Sequence, residues 1–391
     1  MPLALEGSQA IARAVALCRP QVVSAYPITP QTHIVENIAK LVADGALDCE
    51  YVSVESEHSA ASTALGAAAA GARAYTATAS QGMLYMSEVL FDISGLRVPL
   101  VLTCANRALS GPLSIWNDQS DSMAVRDAGW IQLYCTSNQE AIDTHIQAFR
   151  IAQETTLPVM VCVDGFTLTH TMEPLELPAQ ETVDAFLPAH RFARMLDPQA
   201  PLTIGTMVGP EAYSEVRHDH HHALLAAADN ILRANADWAA ASGRDWGGLL
   251  RASGPADARI GILGLGSLIG TLEDAAEQHP ELPPTRIIAL RAFRPFPFEA
   301  LQAICADLDE LVVVERAISP GAGAIVAAEV RAALSELPRA PRVHAVAAGL
   351  GGRDIGIGLY PNLLEVAQNE KIERFRIIDL DPQRLPEELS A

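Results

Sequence analysis

Short apolar runs of β-forming residues alternate with helix-length stretches through the first 165 residues, and this alternation limits the fold more than any other feature. The expected strands are Val22–Tyr26, Tyr51–Val54, Ala74–Ala79, Val98–Cys104 and Val159–Val163. Helical patterns at Gln31–Leu41, Ser59–Ala70, Gly82–Ser94 and Gln139–Glu154 separate them. Strands spaced by helices of this length read as βαβ units on a parallel sheet. In such sheets ligands gather beyond the carboxyl ends of the strands. Polar clusters fall there in this chain, at Tyr26–Thr29, Glu55–His58, Ser80-Gln81-Gly82 and Asn106-Arg107.

The pattern changes after Asp164-Gly165. Residues 166–200 carry several prolines and read as an extended connection, and residues 205–250 read as largely helical. A second α/β unit begins near Arg259, with strands expected at Ile260–Leu265, Arg286–Leu290, Glu310–Glu315 and Arg342–Ala347 and helices at Pro297–Ala306 and Ala322–Leu334. The expected domains are therefore 1–240, including the connection, and 258–391.

Charge and cysteine content narrow the function. The net charge of −20 argues against nucleic acid and against an anionic membrane surface, since phosphate binding needs a basic face. There is no run of about 18 apolar residues to span a bilayer, and no basic start with an apolar stretch to mark export. The six cysteines include no C-x-x-C pair, so they read as reduced, buried thiols of a cytoplasmic protein, without an iron–sulfur cluster.

Taken singly, the polar clusters have ordinary explanations. Glu57 fits a carboxylate complementing a helix dipole. Thr29, between Pro27 and Pro30, fits a strand-to-helix turn. Arg107 fits a surface ion pair with Asp118 or Asp121, although its planar fork also suits bidentate binding of a carboxylate. The polar run 117–121 fits a solvated loop or a metal site.

As a set, in this order, the motifs resemble those of one family. Tyr-Pro-Ile-Thr-Pro at 26–30, Glu-Ser-Glu-His-Ser-Ala at 55–60, Thr-Ala-Ser-Gln-Gly at 78–82, Arg-Ala-Leu-Ser at 107–110, Ser-Ile-Trp-Asn-Asp at 114–118 and Asp-Gly-Phe at 164–166 are similar to the α subunit of pyruvate:ferredoxin oxidoreductases. Arg-Pro-Phe-Pro at 294–297 and Gly-Leu-Gly-Gly-Arg-Asp at 349–354 extend the resemblance through the second domain. It implies an α/β fold: a pyrimidine-type thiamine-diphosphate-binding domain, then a domain like the transketolase C-terminal domain.

The resemblance also implies a division of labour. Thiamine diphosphate is shared with a β subunit. Glu57 would hydrogen-bond the pyrimidine nitrogen, favouring the tautomer that removes the thiazolium proton, and Tyr26, Pro27, Ser80 and Gln81 would complete this chain's half of the site. Thr29 and Arg107 would meet the 2-oxoacid, Arg107 at its carboxylate, with Asn117 and Asp118 nearby. Mg²⁺ and [4Fe-4S] clusters are expected on partner subunits (β, with γ and δ or fused equivalents). Ferredoxin takes the electrons and coenzyme A the acyl group. The chain lacks the Gly-Asp-Gly motif common to Mg²⁺-diphosphate sites, which agrees with half a cofactor site. An acidic ferredoxin would be repelled by this chain and is expected to dock elsewhere.

Pyruvate is the expected substrate, with 2-oxoisovalerate, 2-oxoglutarate or oxalate as alternatives. Two readings of other classes compete. One is a scaffold subunit without cofactor contact. The other is a dehydrogenase using the turn Gly264-Leu265-Gly266-Ser267, which departs from Gly-x-Gly-x-x-Gly at Ile269. The run His218–His222 reads as a polar helix face.

Overall fold

The computed structural model describes residues 2–369 and 373–385. Its strands are β1 (Leu3–Glu6), β2 (Val22–Ala25), β3 (Glu50–Ser53), β4 (Ala74–Thr78), β5 (Val101–Asn106), β6 (Ile131–Tyr134), β7 (Val159–Asp164) and β8 (Met172–Leu175). They continue as β9 (Leu250–Ser253), β10 (Ile260–Gly264), β11 (Thr285–Leu290), β12 (Ala292–Arg294), β13 (Glu310–Glu315), β14 (Arg342–Ala347) and β15 (Arg376–Ile377).

The first sheet runs β12-β6-β7-β5-β4-β2-β3 and the second β15-β14-β13-β10-β11-β9, while β1 and β8 form a two-stranded ribbon. Each large sheet is parallel except for one edge strand: β12 runs against β6, and β9 against β11. Period-two alternation builds the core. Val101 and Ala105 of β5 and Val159, Val161 and Val163 of β7 face one apolar cluster. Leu102, Cys104, Met160 and Cys162 face another, which also takes in Leu263, Ile288 and Phe293 from the second half. Each fully buried Val or Leu contributes about 1.5–3 kcal/mol, so this second, shared cluster binds the two halves.

Several elements differ from the expectation. The ribbon strand β1, the helix Gly7–Leu17 after it, and the strands β6, β9 and β12 were not expected. The supposed connection 166–200 contains β8, paired with β1, and the helix Gln180–Phe186. The helix expected over Gly82–Ser94 is two helices, Ser80–Tyr85 and Ser87–Gly95, meeting at Met86. Because β12 lies beyond residue 258 yet completes the first sheet, no cut between 240 and 258 yields two self-contained sheets.

Candidate active site

Parallel pairing puts the ends of β2, β3, β4, β5 and β7 on one edge of the first sheet, where the polar clusters lie. Asp121 organises this edge. Fully buried, it accepts hydrogen bonds from Ser80 N (2.8 Å), Arg107 N (3.0 Å), Asn106 Nδ2 (2.8 Å) and Ser122 N (2.8 Å). Burial pushes its carboxyl above the ordinary range, and those donors oppose the shift. Asp121 thus meets the backbone of Arg107, not its guanidinium, so the expected surface ion pair is replaced by a buried backbone contact.

The Arg107 guanidinium turns across the edge. Nη1 donates to the Thr29 carbonyl (2.9 Å) and Nε to the Ser114 carbonyl (3.0 Å), while Nη2 has no partner among the described residues. Burial lowers its pKa and Asp121 opposes the shift. Gln31 holds the Thr29 turn, accepting from Ile28 N and donating to the Ala77 carbonyl at 2.8 Å. Ser80 takes a left-handed backbone (φ 49°), and its hydroxyl lies 2.6 Å from both Gln81 Oε1 and the Ala108 carbonyl. Tyr26 and Pro27 stand exposed at the end of β2.

Glu57 opens the small-residue helix Glu57–Ala69, but it does not cap it. Ser56 does: its hydroxyl accepts from Ser59 N at 3.1 Å, and Glu55 accepts from the Ser59 hydroxyl at 2.6 Å. The Glu57 carboxylate is left with no hydrogen bond or ion pair among the described residues, although the residue is only 8% exposed. It lies against Gly82, where a Cβ would stand 2.7 Å from Glu57 Cγ, 2.8 Å from Glu57 Oε1, and closer still to the Thr78 hydroxyl. That hydroxyl is also buried without a partner. A buried polar atom is normally hydrogen-bonded, so the orphaned Thr78 hydroxyl, with the unpartnered Glu57 carboxylate at its side, offers a polar ligand two groups to bond. This fits an aminopyrimidine ring.

Asn117 and Asp118 sit between the halves. Asp118 is hydrogen-bonded within the fold: Oδ1 accepts from Ser120 N (3.0 Å) and Oγ (2.5 Å), and Oδ2 from Gly351 N (3.1 Å). Asn117 is 2% exposed with both amide atoms unpartnered. It lines a cleft of about 320 Å³ with Trp116, Phe166, Ser267, Arg316 and Arg353. A larger groove of about 640 Å³, bordered by Arg251, Glu273 and Tyr360, includes none of the strand-end residues.

The glycine turn after β10 is occupied by protein. Asp164 accepts from Ser267 N (2.8 Å) and Oγ (2.6 Å), Gln119 Nε2 (3.2 Å) and Arg316 Nη1 (3.2 Å). The backbone donor that a dinucleotide phosphate needs is therefore taken by a carboxylate from the other half, which removes the physical basis of the dehydrogenase reading.

Comparison with known proteins places this geometry. Residues 13–235 match the family described as pyruvate flavodoxin/ferredoxin oxidoreductase, thiamine diphosphate-binding, and residues 258–358 match the pyruvate:ferredoxin oxidoreductase core domain II. The chain belongs to the pyruvate:ferredoxin oxidoreductase family. Its relatives in that family include the pyruvate synthase subunit PorA of Methanothermobacter thermautotrophicus, 42% identical over 90% of this chain and 91% of the relative. The PorA of Methanosarcina barkeri is 42% identical over 92% and 91%. The ketoisovalerate oxidoreductase subunit VorA of Pyrococcus abyssi is 37% identical over 95% of each. Among solved structures, the 2-oxoglutarate:ferredoxin oxidoreductase from Magnetococcus marinus superposes with a TM-score of 0.71 at 19% identity. The match covers 93% of this chain and 65% of that one, just under two thirds of its length. A split-gene transketolase aligns at a TM-score of 0.55 and 11% identity. These likenesses agree with a thiamine-binding α/β domain followed by a second α/β domain.

Asp121, Thr78 and Gln31 were not expected at this family's site. Thr78 belongs to the motif Thr-Ala-Ser-Gln-Gly at 78–82, and Asp121 to the polar run that fits a solvated loop, a metal site or an ion-pair partner of Arg107. Their roles depend on neighbours far away in sequence.

Proposed function

We propose that this chain is the α subunit of a multi-subunit pyruvate:ferredoxin oxidoreductase, and that it holds the aminopyrimidine end of thiamine diphosphate. The observation that carries the reading is the buried, unpartnered Glu57 carboxylate beside Gly82. The cofactor, when bound, supplies a carbanion equivalent and an electron sink for decarboxylation. Glu57 holds a proton on the ring nitrogen that faces it, and Gly82, lacking a Cβ, lets Glu57 and Thr78 pack against its backbone. Tyr26, Pro27, Ser80 and Gln81 border this half of the site. Thr29 and Arg107 meet the substrate in this reading: the guanidinium, fixed at Nη1 by the Thr29 carbonyl, offers Nη2 to its carboxylate.

Mg²⁺, the diphosphate contacts and the iron–sulfur clusters belong on partner subunits in this reading, with ferredoxin and coenzyme A as reaction partners. Five of the six thiols are buried and Cys49 is partly so, which supports that division; burial pushes Cys49 up to about 11 and Cys305 up to about 12. A cytoplasmic location is part of the same reading; no helix among the described residues is long and apolar enough to cross a membrane. Pyruvate is favoured by PorA relatives at 42% identity against VorA at 37%.

The test is hydrogen–deuterium exchange at the thiazolium C2 in the assembled enzyme carrying Glu57→Gln. Exchange should slow by at least about 100-fold, the lower range for losing a general acid–base contribution. Exchange at the wild-type rate overturns the assignment. A 2-oxoacid panel on the wild-type complex, with pyruvate giving the highest kcat/KM, tests the substrate.

A further inference from the structure

We propose that Glu6, His33 and His170 form a binding site for a divalent transition-metal ion of the zinc class, separate from the thiamine site. One ligand atom from each residue lies within 4.8 Å of the others. Two imidazoles and one carboxylate are a donor set that zinc accepts, with water completing a tetrahedron.

Three segments meet at this point, and backbone bonds fix two of them. The ribbon pairs Glu6 with Met172, Gly7 N donates to the Thr171 carbonyl (3.1 Å), and Ser8 N donates to the Thr169 carbonyl (2.9 Å). Glu6 and His170 are thus held together without help from their side chains. His33 comes from the first turn of the helix Thr32–Ala43, directly after the Thr29 turn.

The side chains are directed as ligands. Glu6 occupies the capping position of the helix Gly7–Leu17, yet its side chain makes no cap. It turns instead to His33 Nδ1 at 2.7 Å. Ligand atoms about 2.0–2.1 Å from a tetrahedral ion stand roughly 3.3 Å apart, so Glu6 and His33 would part by some tenths of an ångström while the His170 nitrogen, within 4.8 Å, closes on them. His170 Nδ1 lies 2.8 Å from the Thr169 hydroxyl, which in turn accepts from Phe166 N. Such an outer hydrogen bond orients a ligating imidazole and leaves Nε2 for the metal. The His33 and His170 rings are 4.7 Å apart, which brings both imidazoles to the same point beside Glu6. Bound there, the ion would tie the ribbon to the helix that continues from the Thr29 turn.

The experiment uses the purified full chain after chelation, titrated with Co²⁺ and followed by its visible ligand-field absorption, with Zn²⁺ as competitor. One ion per chain is expected. His33→Ala, His170→Ala and Glu6→Gln should each weaken binding by at least about 10-fold, and Thr169→Val, which keeps all three ligands, by roughly 10-fold. The last variant decides the matter if a ligand variant fails to fold. A double variant at His218 and His222, whose rings lie 4.2 Å apart on another helix, should leave the bands intact. No ligand-field bands, bands unchanged in His33→Ala and Thr169→Val, or bands lost with His218 and His222 would each overturn the proposal.

Discussion

Arg107 Nη1 donates to the Thr29 carbonyl at 2.9 Å, although 78 residues separate them in the chain. This bond, with the one from Nε to Ser114, aims the guanidinium before any substrate arrives, and the aim depends on its planar fork. Arg107→Lys keeps the charge and loses the fork. In the assembled enzyme it should lower kcat/KM for the 2-oxoacid by the equivalent of about 1.5–3 kcal/mol. Steady-state kinetics at saturating coenzyme A would show this, and wild-type kcat/KM would remove Arg107 from the substrate site.

Gly82→Ala tests the packing around Glu57. The added methyl meets Glu57 and Thr78, and Glu57 must shift to admit it. A displacement of about 1 Å at a reacting group costs on the order of 100-fold in rate. The expected result is weaker thiamine diphosphate binding and slower turnover, with an unfolding midpoint close to wild type. Cofactor titration by calorimetry and a melting curve, measured together, separate this outcome from simple misfolding.

Asp164→Asn tests the tie between the halves. All four groups that bond Asp164 act as donors, so an amide nitrogen there faces a donor. Asp164 and Arg316 are both buried. Leaving a buried arginine without its carboxylate costs about 3–5 kcal/mol. Urea denaturation of the full chain should show a loss of that order, and a loss under about 1 kcal/mol would mean that other contacts carry the tie.

Acid should destabilise the fold through buried histidine. The Nδ1 of His145 lies 2.6 Å from the Ala141 carbonyl and its Nε2 2.7 Å from the Thr103 hydroxyl, which is itself 2.7 Å from the Tyr75 hydroxyl. With Nδ1–H donating and Nε2 accepting, the neutral ring satisfies every partner. Burial pulls its pKa down to about 4, and that of His190 likewise to about 4. The unfolded chain takes up protons near pH 6.5 that the folded chain refuses. This share of stability is therefore complete above about pH 6.5 and is lost as pH falls toward about 4, by up to about 1.4 kcal/mol per unit per histidine. Urea midpoints measured across that window should fall, and His145→Gln should flatten the slope.

Strands with continuous apolar runs, such as β5, β7, β13 and β14, could be read from local sequence because both of their faces are buried. The edge strands β9 and β12, β6 beside β12, and the ribbon strand β1 have three or four residues each, and their pairing partners set their conformation. The same distinction holds at the site. Glu57, Thr29 and Arg107 stand out by residue type at strand ends. Asp121 looks like one more residue in a polar loop, because its partners Ser80 and Arg107 lie 41 and 14 positions away. Ser56, the residue just before the helix start, carries the capping role that local reading gives to Glu57.

The placement of β12 on the first sheet constrains how such a gene can be divided. Truncation before residue 258 would strip β6 of its neighbour, leaving Ile131–Tyr134 as an open edge able to recruit strands from other molecules. It would also remove Arg291, whose guanidinium pairs with the buried Glu140, and strand that carboxylate without a counter-charge. The two halves therefore depend on a single translated product, or on coexpressed fragments that anneal through this strand.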